Sequence, residues 1–333
     1  MGAMDDIVSQ LLRSEEPSVR WRVRTAVLRE RADDGSIRAL QDDIRRSPRV
    51  EAILNGCRGL APYAKWRGPH WALLALSNLG YPSGDPALLP LRDVVLGQWL
   101  RAGYLVDADV SRITRTSYET AVPRVSGRSR VHASQQGGAL LAIIRLGLDD
   151  GRASMLAQRL CAWQWPDGGW NCDRDPDTAM SSVHETLLPM RGLAAYADAS
   201  GDAATRSAAV AAAEVFLTRR VAWRRSSDKP LSADAVKLHY PVYWHFDVLA
   251  GLVGLRELDL LDDIRCEPAL TMLESRRRTQ GGWSADARYW RVADAGSNIE
   301  SVSWGAVSTR QANEWVTADA LAVLAAAGRF PST

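Results

Sequence analysis

The 333-residue chain is 46% hydrophobic and 24% charged, long enough to bury one large core or two smaller ones. Its formal net charge of +2, with basic residues scattered along the chain, excludes a dedicated nucleic-acid surface. Four cysteines, far apart and with no CxxC pair, exclude a disulfide framework and point to a reduced, cytoplasmic setting. No signal-peptide run opens the sequence, and apolar stretches such as ALLAIIRLGL are too short to span a bilayer. Thirteen Trp against three Phe predict repeated packing anchors or an aromatic-lined cavity.

In chain order, residues 5–58 read as three or four short amphipathic helices. PSVRWRVRTAVLRER places Val19, Val23, Ala26 and Val27 on one face, in the manner of a HEAT-type helix. Residues 1–58 are therefore expected to form a small helical extension, with 5–58 offering a surface to a protein partner. From residue 60 a longer period appears. Five apolar helices are predicted at 70–80, 137–148, 181–196, 243–255 and 313–328, apolar on most faces as buried helices are. More amphipathic helices, such as ASMLAQRLCAWQ and AAVAAAEVFLTRR, lie between them. Alternation of this kind indicates a helical repeat array.

Two turns share their chemistry, PDGGW (166–170) and TQGGW (279–283), and each follows an amphipathic helix. Gly-Gly supplies a left-handed conformation that ends the helix, and the Trp packs back over it. Gly169 and Gly282 are the positions expected to need it. The basic runs RVSGRSR (124–130) and SRRRTQ (275–280) read as solvated surface, with contact to a diphosphate or carboxylate as the alternative.

QWPDGGW and TQGGW resemble the Gln-Trp repeats of squalene-hopene and oxidosqualene cyclases. The Gly-Gly-aromatic loop ahead of a helix beginning near a His also resembles the β subunits of protein prenyltransferases. More narrowly, YAKWRGPHWALL, DGGWNCD, SSVHETL and YWHFDVL look like a bacterial group of stand-alone prenyltransferase/squalene-oxidase-repeat proteins. The resemblance covers residues 60–330. It implies an all-α fold, an α/α toroid over 59–333 whose parallel inner helices are ringed by outer ones.

Class II cyclases protonate an alkene with a DxDD motif, and DRDPDTA (173–179) approximates it. Pro176 forces extended geometry between the second and third carboxylates, so that spacing is broken. Asp173, Asp175 and Asp177 are instead expected to form a solvated loop that caps the helix near Ser181.

Polar residues at the starts of the apolar helices make the candidate site: His70, His184, His245 with Asp247, and Glu314 with Asp319. Converging helix N-termini favour an anionic substrate group. His184, His245 and Asp247 are the expected catalytic residues. His70, Trp71, Trp170, Trp244, Glu314 and Trp315 are the expected substrate-binding ones, since toroid cyclases shape polyene chains with aromatic walls. The prenyltransferase resemblance adds zinc. Cys172, His184, His245 and Asp247 would be its ligands, with a metal-free hydrogen-bonded network as the alternative. Glu185 is expected to point about 100° away from its neighbour His184 around the helix. The resulting expectation is an enzyme acting on a small hydrophobic, isoprenoid-like metabolite by cyclisation, prenyl transfer or rearrangement. Its alternatives are a zinc enzyme with another substrate and a non-catalytic helical scaffold.

Overall fold

The computed structural model describes residues 3–114, 116–293 and 298–329. The chain is mostly helical, with fourteen α-helices and five short strands among the described residues. It divides into two compact units, Met1–Pro82 with Arg219–Thr333 and Ser83–Thr218. The expected boundary at residue 58 falls inside the first of these. No described helix is long and apolar enough to cross a membrane.

The first unit opens with α1 (Ala3–Leu12) and α2 (Pro17–Arg22), which runs on into a π-helical turn at Val23–Val27. Then come α3 (Gly35–Arg45), α4 (Pro48–Gly56) and α5 (Pro69–Leu79). Side-chain caps start several of them. Asp34 accepts from Ser36 N–H, and Ser47 accepts from Val50 N–H ahead of Pro48 in the first turn.

The second unit contains α6 (Leu89–Trp99), β1 (Asp107–Asp109), α7 (Ser117–Thr120), β2 (Val122–Val125) and β3 (Arg128–Ser129). Its other helices are α8 (Ala133–Arg145), α9 (Ala153–Trp163), α10 (Val183–Ser200) and α11 (Ala203–Leu217). β1 pairs parallel to β2, and β2 pairs antiparallel to β3. Helices α8 and α10 are buried along most of their lengths and lie backbone to backbone. A Cβ on Gly137 would stand 2.3 Å from the nitrogen of Pro189, which sits inside α10. Glycine is what permits this approach.

The first unit resumes with α12 (Val248–Arg256), α13 (Glu267–Ser275), the paired strands β4 (Arg291–Val292) and β5 (Ile299–Glu300), and α14 (Glu314–Ala326). Its N-terminal helices are locked to α14. The buried Arg22 donates to Asp319 Oδ1 at 2.8 Å, to the Asn78 carbonyl at 2.6 Å and to Tyr240 Oη at 3.3 Å. Ser14 Oγ donates to Glu314 Oε2 at 3.0 Å.

Both Gly-Gly-Trp turns are helix-end clasps with the same bonding. Trp170 Nε1 donates to the Leu160 carbonyl at 2.9 Å, and Trp283 Nε1 to that of Leu273 at 2.7 Å. The backbone N–H of each Trp reaches a threonine hydroxyl, Thr186 for Trp170 and Thr317 for Trp283. Gly282 has the expected positive φ of 70°. In the first turn Gly168, rather than Gly169, holds it at 93°.

Candidate metal centre

Three segments of the second unit converge by backbone pairing. The chain leaving β3 bridges Arg130 to Asn171, and Val131 N–H donates to the Asn171 carbonyl at 3.2 Å. Ser182 N–H donates to the Trp170 carbonyl at 2.9 Å, which fixes the start of α10 against the same loop. Each segment carries a chemically active residue within three positions of its anchor. His132 is the N-cap residue of α8, Cys172 follows Asn171, and Glu185 lies in the first turn of α10.

One ligand atom from each of His132, Cys172 and Glu185 lies within 4.8 Å of the others. Nδ1 of His132 is 3.3 Å from Glu185 Oε1, while Ser134 N–H at the start of α8 donates to Glu185 Oε2 at 3.0 Å. Glu185 is buried, Cys172 half-buried and His132 exposed, so the group opens toward solvent on the imidazole side. Burial alone would raise the Glu185 carboxyl. The bonds from His132 and Ser134 outweigh it and hold the group below its ordinary value, as an anion. The Cys172 thiol is pushed up to about 12 by burial, then by the Glu185 charge and hydrogen bond. Without a cation the sulfur therefore keeps its proton at neutral pH.

Tyr118, from α7, completes the surroundings with its ring 6.0 Å from that of His132. Its hydroxyl is buried and meets no hydrogen-bond partner among the described residues. Burial, then Cys172, pushes that phenol up to about 12.

A nitrogen, a sulfur and an oxygen donor suit zinc, which accepts all three types, better than magnesium or calcium, which prefer oxygen alone. Of the four expected ligands only Cys172 belongs to this group. His184 is exposed on α10, and its neighbour Glu185 is the residue turned inward. The reason is helical phase. The first turn begins at Val183, and Glu185 is drawn to the Ser134 N–H at the opening of α8.

His245 and Asp247 belong to the first unit and are bonded otherwise. Asp247 caps α12 through Ala250 N–H at 2.7 Å, and its Oδ2 takes the backbone N–H of His239 at 3.0 Å. Its imidazole partner is His239. His245 is stacked between Trp244 and Tyr289, with ring centroids 4.4 and 3.6 Å away. Trp244 also receives the Lys65 ammonium 5.0 Å from its ring. His70 and Trp71 lie buried against Tyr63, and burial depresses the His70 imidazole to about 3, which keeps it neutral. Trp315 is buried in a stack with Tyr240 at 5.0 Å, and Glu314 accepts from Ser14. In the second unit Trp170 is fully buried in its clasp.

Asp173, Asp175 and Asp177 are exposed. Asn171, Asp173 and Asp175 each bond the N–H two residues on, and Asp173 also accepts from Thr178. These bonds, Asp175 N–H first, hold the Asp173 carboxyl below its ordinary value. An alkene-protonating acid would need the opposite shift.

No family model matches the chain, and no curated protein matches it. The crystal structure of a protein from Actinoplanes is similar at 17% identity over 98% of each chain, with a TM-score of 0.46.

Proposed function

We propose that this chain is a zinc-dependent enzyme whose metal is held by His132, Cys172 and Glu185. The observation that carries the reading is the convergence of one nitrogen, one sulfur and one oxygen donor within 4.8 Å. Three protein ligands leave a fourth tetrahedral position for water or substrate, the pattern of catalytic rather than structural zinc. Zinc bound there supplies Lewis acidity and acidifies a coordinated water.

The protein's own groups are arranged for this. Ser134 N–H orients the Glu185 carboxylate before any cation arrives. Cys172 gives up its proton on binding. Tyr118, protonated across the neutral range, has a buried hydroxyl to donate to an oxygen at the centre.

We read the substrate as a small hydrophobic metabolite of isoprenoid type and the helices as an α/α toroid of the terpene cyclase and prenyltransferase kind. The two identically bonded Gly-Gly-Trp clasps support that kinship. The setting on this reading is cytoplasmic. Elemental analysis after chelator-free purification tests the metal, with about one zinc per chain expected. His132→Ala, Cys172→Ser and Glu185→Gln should each lose it, whereas His184→Ala should keep it. A wild-type zinc ratio near zero would overturn the reading.

A further inference from the structure

Arg128 and Arg130 alternate along the extended chain that runs from β3 to His132, so their side chains leave the same face. Both guanidiniums lie over the indole of Trp165, with Cζ 5.7 and 4.6 Å from the ring centroid. Trp165 is buried, and its Nε1 is engaged by the Ser129 carbonyl at 2.8 Å. Two like charges thus share one aromatic ring.

Arg130 is 0% exposed. Its Nη2 donates to the carbonyls of Thr178 at 3.0 Å and Pro176 at 3.4 Å. Its Nε and Nη1, and the Nε of Arg128, are buried without an acceptor among the described residues. Neither guanidinium forms an ion pair with a described carboxylate. Asp173 and Asp175, on the nearby loop, bond backbone and Thr178 instead. The two carboxylates act on Arg130 only through space, and buried guanidinium N–H groups that lack an acceptor are costly unless a ligand meets them.

We propose that Arg128 and Arg130 form a binding site for an oxyanion, a phosphate or carboxylate group carried by a small molecule. Guanidinium donors match the oxygens of both groups, and the indole holds the two cations in place meanwhile. Arg128 is half-exposed and gives the way in, while Arg130 lies beneath the exposed 173–177 loop. His132 follows two residues after Arg130, and Asn171, bridged to Arg130, adjoins Cys172. The anionic end of a ligand is therefore anchored beside the metal centre. This names an acid-bearing substrate class for that centre. It rests on the zinc reading for the chemistry, but not for the binding.

Metal-free protein, prepared with chelator, is titrated with inorganic phosphate and separately with succinate at constant ionic strength. Calorimetry and tryptophan fluorescence follow binding. The expected result is saturable binding of at least one anion, weakened at least tenfold in Arg128→Met, a half-exposed position where the fold is retained. Arg130→Met, checked by circular dichroism, should do the same, and whichever anion binds identifies the group. His132→Ala should lose zinc yet keep the anion. No saturable binding by wild type, unchanged binding in Arg128→Met, or loss of the anion in His132→Ala would each overturn the proposal. A protein that binds the anion but no zinc would retain this site and lose only the metal reading.

Discussion

Nδ1 of His239 lies 2.6 Å from Oδ2 of Asp247, and each side chain is 1% exposed. Burial opposes charge on the imidazole, but the Asp247 carboxylate outweighs it and raises His239 above its ordinary value. Such a pair contributes stability below the unfolded imidazole value, and that contribution fades as pH rises through the higher folded value. Asp247→Asn keeps the α12 cap acceptor but removes the counter-charge. It should cost about 3 kcal/mol at mildly acidic pH, less at alkaline pH, by urea unfolding across the range. An equal loss at every pH would show that the pair carries no charge.

Glu300, on β5, makes a second pH prediction of its own. Its buried side chain accepts from Ser301 N–H at 2.8 Å, and burial pushes the carboxyl up to about 7. A carboxyl with a raised folded value stabilises while protonated and loses that contribution as pH rises from its unfolded value through about 7. Glu300→Gln should therefore gain stability over wild type above neutrality, by up to about 3 kcal/mol, and the gain should vanish toward pH 4. Melting curves of the two proteins across that range are the check.

Zinc affinity should climb with pH. The metal-free Cys172 thiol sits at about 12, so binding must release its proton throughout the neutral range. Competition against a chromogenic chelator should show a rise of about tenfold per pH unit from this group alone. Cys172→Ser, which should lose the zinc, should not compete at any pH in that range. A pH-independent affinity in wild type would place the thiol outside the coordination sphere.

Gly168, with φ at 93°, tests the clasp in the second unit. A Cβ there would stand 2.0 Å from the Ala211 carbonyl oxygen on α11. Gly168→Val should destabilise by about 2 kcal/mol or more through both strain and collision. Gly282→Val, at φ 70° beside Thr317, should do the same in the first unit. Unchanged melting temperatures in both would mean that the turns are not what ends α9 and α13.

The five apolar helices were legible because burial on nearly every face leaves few places for charge, and each expected segment overlaps one of α5, α8, α10, α12 and α14. Helix α12, however, begins at Val248 rather than 243, which leaves His245 and Asp247 ahead of the helix. The centre was much less so. HASQQ looks like loop, yet α8 begins at Ala133 and buries Ser134 and Gln136, which hid His132 as a cap residue. At the start of α10 a choice between His184 and Glu185 turns on helical phase, which a partner N–H from another helix decides. The run RVSGRSR reads as solvated until the hairpin between β2 and β3 turns Arg128 and Arg130 onto Trp165. In each case the deciding contact joins residues that the sequence sets far apart.

The first unit takes its residues from both ends of the chain, whereas the second is one uninterrupted run. On the ribosome, α6–α11 emerge together and can collapse while synthesis continues. The helices α1–α3 can meet one another, α4 and α5 early, but not their seat on α14. Arg22 must keep its charge in water until Asp319 is made, 297 residues later. Throughout that wait Val19 and Val23, both fully buried at the end, present apolar surface to whatever chaperone is near. A substitution in α14 would thus be felt first at the opposite end of the chain, as early helices that never find their seat.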